Sequence, residues 1–323
     1  MPGSQPPPSE LVQARVRFLE LVAELRPELH RYCARLTGSI VDGEDVVQDT
    51  LAKAYYAISM AAEVPPLRPF LFRIAHNTAM DMLRRYERRH VDAVAELPED
   101  AAVGEWADPE VVRAALATFL ELPIAQRSAV ILKDVLGCSL AEIVEITGAT
   151  LPAVKAALFR GRAGLRARAG ESAADRAATP AVDAGERRRL NRYAALFNAR
   201  DWDALRDFIA EDCRLDLVSR HERRGRGVGE YFARYADLRD FRVVPGVLDD
   251  GVAGGRLALA MYSPRSSTQP SSFVLIEWRG ERLALIRDFR YVPYIADEVR
   301  LGRAAFHADR DARATAVDVA PRS

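Results

Sequence analysis

SIVDGEDVVQDTLAKAYY, residues Ser39–Tyr56, carries Asp42, Glu44, Asp45 and Asp49 within eight positions and has no His or Cys beside them. Asp42 stands where a helix N-cap belongs, and Asp45 three residues on makes an aspartate version of the capping box. Val47, Leu51, Ala54 and Ile58 then recur at helical spacing and are expected to face a core. Asp45, Gln48 and Asp49 share the opposite face, because residues three and four apart are neighbours on a helix. A metal would need more converging oxygen ligands than this face supplies. A catalytic carboxylate pair would need burial to tune its pKa, and this helix is exposed. Two readings remain, a solvated acidic face and a surface that another protein recognises.

The segment that follows, PFLFRIAHNTAMDMLRRYERRH, continues the helical pattern. Phe70, Ile74, Thr78 and Met82 can form its inner face, with Leu71 and Ala75 flanking. Arg73, Asn77, Asp81, Arg84 and Arg88 recur every three or four residues on another face. Arg and Asn are the side chains that meet phosphates and base edges, so this ridge suits DNA.

Farther along, LPIAQRSAVILKDVLGCSLAEIVEITGATLPAVKAALFRGRAGLRARAG holds two helices around Thr-Gly-Ala-Thr. Ser139 and Glu142 form a capping box, Ala141, Ile143, Val144 and Ile146 provide a buried side, and Gly148 makes the turn into a helix over Leu151–Arg168. That is a helix-turn-helix, whose second helix enters the major groove.

Charge separates these blocks. The 46 basic and 46 acidic residues cancel over 323 positions. Yet Ala93–Glu110 contains six acids and no base, and Lys155–Arg168 contains five bases and no acid. A hydrophobic content of 49% is enough for packed cores. Cys33, Cys138 and Cys213 lie far apart without zinc spacing, which suits reduced thiols. MPGSQPPPSE lacks the apolar run of a signal peptide, and no segment has the length of a membrane span, so a cytoplasmic location is expected. Two short motifs carry no chemistry. Gly225, Gly227 and Gly229 lack dinucleotide spacing, and His30 and Cys33 have no partners for zinc.

The chain therefore divides into a helical block over 10–92, an acidic linker over 93–110 and a second helical block over 111–170. A small polar linker over 171–185, an α+β block over 186–297 and a tail over 298–323 follow. In the α+β block, RRRLNRYAALFNARDWDALRDFIA reads as two helices, the second capped by Asp201. FRVVPGVL, GRLALAMY, SSFVLIEW and RLALIRDFRY read as strands of a curved antiparallel sheet.

GEDVVQDTLAKAYY and LRPFLFRIAHNTAMDMLRR, in that order, resemble region 2 of the sigma-70 family, particularly its extracytoplasmic-function members. The block from LPIAQR to AVKAALFRGRAGLR resembles region 4. The resemblance implies a multidomain fold, two all-α sigma domains followed by an α+β domain, and no enzymatic activity or cofactor. It assigns Asp45, Gln48 and Asp49 to core RNA polymerase. Promoter DNA falls to Arg73, Asn77, Asp81, Arg84 and Arg85 and, in the helix-turn-helix, to Lys155, Phe159, Arg160, Arg162 and Arg166. Ala153, Ala156 and Ala157 stand where Thr, Ser and Arg are commonest in the family. The acidic linker would occupy channels of the polymerase.

The third block resembles a SnoaL-like cone. Tyr193, Trp202, Asp216, His221, Tyr231 and Asp288 are its candidate pocket residues, with packing, ligand sensing and proton transfer as the alternatives. The resemblance implies a domain that modulates activity by touching the sigma domains or polymerase. An isomerase or cyclase with a vestigial sigma module, and a free-standing helix-turn-helix repressor, are the other functional classes.

Overall fold

The computed structural model describes residues 10–60, 65–87, 116–169, 183–219, 221–224, 228, 230–236, 241–249, 256–263, 269–298 and 300–302. The acidic linker and Arg88 lie outside the described residues. The chain divides into two compact units, Met1–Arg176 and Ala177–Ser323, and the division falls within the polar segment 171–185.

The first unit is all helical. α1 spans Glu10–Thr37, α2 Ile40–Met60 and α3 Leu67–Glu87. α4 is the short helix Leu116–Leu120, and α5, Ile124–Val130, runs on into a π turn over Ile131–Val135. α6, Leu140–Thr147, and α7, Leu151–Ala169, form the helix-turn-helix. Ser39 caps α2 in place of Asp42, its Oγ accepting from the Asp42 N–H at 3.2 Å. The cap moves because α2 begins at Ile40, which is fully buried along with Val41. On α3 the core side is Leu71, Phe72, Ala75 and Ala79, so the buried arc is turned from the Phe70–Ile74–Thr78–Met82 line expected; Thr78 is buried, and Phe70, Ile74 and Met82 are only partly so.

One apolar core runs from Val22 through Phe72 and Phe119 to Leu158 and Leu165, so α1–α3 and the helix-turn-helix pack as a single body. Arg127 of α5 sews its parts together. Its guanidinium donates to the carbonyls of Leu36 at 2.6 Å and Leu120 at 2.8 Å, in the last turns of α1 and α4, and of Leu122 at 3.0 Å in the bend before α5.

Gly43 sets how closely α1 and α2 approach. A Cβ there would lie 2.5 Å from the Ala34 nitrogen and 2.6 Å from its Cα, and a helix backbone cannot give way as a side-chain tip can. Alanine would gain up to about 1 kcal/mol of helix propensity. Overpacking costs roughly 1–3 kcal/mol, so the clash is expected to win. Gly43→Ala should lower the urea midpoint of the first unit with an unchanged m-value, as read by far-UV circular dichroism.

In the second unit α8, Ala184–Ala199, is capped by Asp183, and α9, Trp202–Arg206, by Asp201 as expected, its carboxylate accepting from the Ala204 N–H at 3.1 Å. β1, Ile209–Leu217, and β2, His221–Arg224, precede α10, Glu230–Ala236. β3 spans Arg242–Asp249, β4 Arg256–Tyr262, β5 Ser272–Arg279 and β6 Arg282–Asp288. A 3-10 turn over Pro293–Glu298 leads to β7, Arg300–Gly302, in residues read as tail.

The seven strands form one sheet in the order β2-β1-β6-β5-β4-β3-β7, antiparallel except for the parallel pair β1–β6. Leu259, Met261, Val274, Ile276 and Ile286 point to one face by the two-residue period. Tyr193, Phe197 and Phe232 of the helices close that core. Pro245, which has no N–H to donate, lies upstream of the Val247–Asp249 pairing with β7, where the ladder does not need one.

Candidate polymerase and promoter interface

On α2 the four acids separate. Glu44 is fully buried and ion-paired with Arg26, so it belongs to the fold. Asp49 is exposed, and Asp45 and Gln48 are half-buried on the same outer face. That face continues with Tyr56 and Met60, which are 67% and 71% exposed. Their spacing of seven and eleven from Asp49 places them on one stripe, a signal that was readable but obscured by their apolar character.

The polar ridge of α3 is not uniformly free. Arg73 donates through Nε at 2.8 Å and Nη2 at 2.6 Å to the carbonyl of Glu145 on α6. Arg68, five residues earlier, pairs with Glu28 of α1 at 2.5 Å and Glu142 of α6 at 3.0 Å. Asn77, Asp81, Arg84 and Arg85 are exposed, with Asp81 and Arg84 4.0 Å apart. The N-terminal part of the ridge is thus bound to the helix-turn-helix, and the C-terminal part lies at the surface, with Arg85 donating to the Asp81 carbonyl at 3.1 Å.

Within the helix-turn-helix the expected capping box is present. Ser139 Oγ accepts from the Glu142 N–H at 3.2 Å, and the Glu142 carboxylate accepts from the Ser139 N–H at 2.8 Å. Those hydrogen bonds, with Arg68, hold the Glu142 carboxyl below its ordinary range. Gly148 turns at φ +69°, a left-handed conformation that suits glycine. On α7, Lys155, Phe159 and Arg166 are exposed and Arg160 is half-buried. Val144 is half-buried and Ala141 exposed, leaving Ile143 and Ile146 as the buried side of α6.

Arg162 departs from the expected phosphate contact. It is buried, and its Nε and Nη2 donate to the two carboxylate oxygens of Asp134 at 2.9 and 2.5 Å. Lys155, Phe159, Arg162 and Arg166 follow one another at spacings of three and four on the helix. An acidic partner in the preceding π turn draws that one member inward.

The second unit brings together Tyr193, Tyr231 and Asp288. Asp288 is buried, and its Oδ2 accepts from Tyr231 at 3.0 Å and Tyr235 at 2.6 Å, while Oδ1 accepts from the Arg290 N–H at 2.9 Å. Burial raises the carboxyl above its ordinary range, partly opposed by these donors, and raises the Tyr193, Tyr231 and Tyr235 hydroxyls well above theirs. Tyr235, one turn beyond Tyr231, is the member that sequence reasoning missed. Asp216 lies apart, because the alternation of β1 and β6 puts Asp216 and Arg287 on the other face, 3.0 Å from each other. Trp202 packs edge-on to Phe197 and stacks on Phe232. His221 sits on β2 opposite Leu217, and its side chain lies outside the described residues.

Comparison with known proteins matches the family model of sigma-70 region 2 to residues 21–89 and that of sigma-70 region 4 to residues 113–165. The RNA polymerase sigma factor CarQ of Myxococcus xanthus is 31% identical over 162 residues, covering 49% of this chain and 92% of CarQ. The chain belongs to the extracytoplasmic-function sigma factors of the sigma-70 family. The ECF RNA polymerase sigma factor SigG of Mycobacterium tuberculosis is 36% identical to it over 216 residues, 58% of this chain. This sigma factor spans 57% of the length of SigG. The crystal structure of the Mycobacterium tuberculosis extracytoplasmic function sigma factor SigJ aligns at 20% identity over 84% of this chain and 95% of SigJ, with a TM-score of 0.33.

Both family matches fall in the first unit, where regions 2 and 4 of this sigma factor also share a polar network inside their common core. The Tyr32 hydroxyl lies 2.7 Å from His76 Nδ1 and 2.9 Å from Ser128 Oγ, linking α1, α3 and α5. Burial, with Arg84 nearby, lowers the His76 imidazole to about 4, so it is neutral at pH 7. Among the described residues no three His, Cys, Asp or Glu side chains are grouped to hold a metal ion, and no helix is long and apolar enough to cross a membrane.

Proposed function

We propose that this chain is an alternative sigma factor that binds core RNA polymerase and directs promoter-specific initiation in the cytoplasm. The observation that carries it is the pairing, in one chain and in family order, of an outward acidic helix with a capped helix-turn-helix whose second helix displays Lys155, Phe159 and Arg166. Asp45, Gln48 and Asp49 dock on polymerase, with Tyr56 and Met60 extending the contact. Arg73, Asn77, Asp81, Arg84 and Arg85 meet the promoter element nearer the start site. Lys155, Phe159, Arg160 and Arg166 meet the upstream element.

In this reading the Arg73–Glu145 and Arg68–Glu142 contacts release on polymerase, since one rigid body cannot span two separated promoter elements. The second unit modulates activity by docking on the sigma unit. Its buried carboxylate accepts from three groups of its own domain, which favours a structural role over proton transfer. Run-off transcription with purified core polymerase on genomic DNA fragments tests the reading, comparing the full chain with one ending at Ala181. Initiation by either is the expected result, and the difference between them gives the sign of the second unit's effect. No initiation and no binding to core would overturn it.

A further inference from the structure

A cavity of about 340 Å³ opens between α3 and the helix-turn-helix, within the size range of small-molecule sites. Its apolar walls include Met80 of α3, Ile124 and Ala129 of α5, Ile143 of α6, and Val154 and the alanines at 153 and 157 of α7. The space exists because α7 presents alanines there, whose side chains end at Cβ. Four polar residues interrupt this apolar lining, and one of them, Thr147, donates its hydroxyl to the Ile143 carbonyl at 2.7 Å. Arg84 of α3 contributes an exposed guanidinium, and His76 and Ser128 contribute buried groups.

His76 is oriented by the network already described. Its Nδ1 faces the Tyr32 and Ser128 hydroxyls, which fixes the ring and leaves Nε2 for a further partner. With Tyr32 donating to Nδ1, the neutral ring carries its proton on Nε2 as a donor. A cation and a neutral N–H donor beside an otherwise apolar cavity complement one chemistry: an anionic head on an apolar body.

We infer that this cavity binds a small amphipathic carboxylate, its head on Arg84 and His76 and its apolar body against Met80, Ile143 and the α7 alanines. Such a ligand touches region 2 and region 4 at once and holds them together. This consequence rests on the sigma reading; the binding itself does not.

Decanoate is the probe, titrated calorimetrically into the full chain below its micelle concentration, with decan-1-ol as the uncharged control. Saturable decanoate binding is expected, with shifts of the Met80 and Ile143 methyl resonances. Decanol should bind about tenfold weaker, the worth of one charge-assisted hydrogen bond. Arg84→Gln should bring decanoate down to the decanol level. Ala153→Leu, placed at an exposed position so that the core is untouched, should abolish binding of both. Should that variant not fold, nuclear Overhauser contacts from the decanoate chain to Met80 and Ile143 in the unaltered protein decide the matter. Absence of saturable binding, equal affinity for decanol, unchanged binding by a folded Ala153→Leu or absence of those contacts would overturn the inference. Because these experiments contain no polymerase or DNA, their failure leaves the transcription result untouched.

Discussion

Asp134→Ala is expected to destabilise the first unit by roughly 3–5 kcal/mol, the cost of leaving a buried charge without its partner. Asp134 is 3% and Arg162 7% exposed, and their bidentate pair joins the π turn after α5 to the middle of α7. Asp134→Asn should fall between, since a neutral acceptor keeps a hydrogen bond at about half the strength. Replacing both, as Asp134→Leu with Arg162→Met, should recover most of the loss, because apolar residues of similar volume often match a buried pair. Urea unfolding followed by far-UV circular dichroism measures the loss. Hydrogen exchange locates it in residues 124–169.

Three single substitutions on α7 decide whether Arg162 reads phosphate. Each phosphate contact contributes about 0.9 to the slope of log affinity against log salt on duplex DNA. Lys155→Ala and Arg166→Ala should each lower that slope by about 1, and Arg162→Met should lower stability with the slope unchanged. A slope reduced by Arg162→Met in a fully folded protein would return Arg162 to the DNA surface.

Asp288→Ala is expected to cost the second unit at least about 2 kcal/mol, because two buried tyrosine hydroxyls and the Arg290 N–H lose their acceptor at roughly 1–3 kcal/mol for each group left unpaired. Burial raises the carboxyl above the ordinary aspartate value of 3.8. Between 3.8 and the folded value, the native state holds a proton that the unfolded chain has released. The stabilisation is therefore complete below 3.8 and is lost as pH rises through the folded pKa. Asp288→Asn keeps an acceptor for the tyrosines and should flatten this pH dependence. Trp202 and Trp278, two of the chain's three tryptophans, report unfolding of this unit by fluorescence. A native protein whose urea midpoint in Asp288→Ala matches the unaltered chain would give the carboxylate a role other than holding the fold.

What the sequence determined by itself was local. Ser139, Glu142 and Gly148 specify the helix-turn-helix because caps and left-handed turns are settled within four residues of chain. The outward face of Asp45, Gln48 and Asp49 follows from the helical period, and β3–β6 follow from apolar runs bounded by turns. The tertiary structure decided what depends on a distant partner. β1 reads IAEDCRLDL, too mixed to signal a strand, and is held by parallel pairing with β6, about seventy residues later. Arg73 and Arg162 were legible as basic residues on helix faces. Which of them meets solvent was set by the Glu145 carbonyl and the Asp134 carboxylate, groups that a helical period cannot see. Asp288 and Tyr231 were legible as pocket candidates, but that Tyr231 and Tyr235 both donate to one oxygen of Asp288, more than fifty residues on, was decided by packing. A period fixes the direction of a side chain from its own helix, and burial is fixed by what packs against that direction.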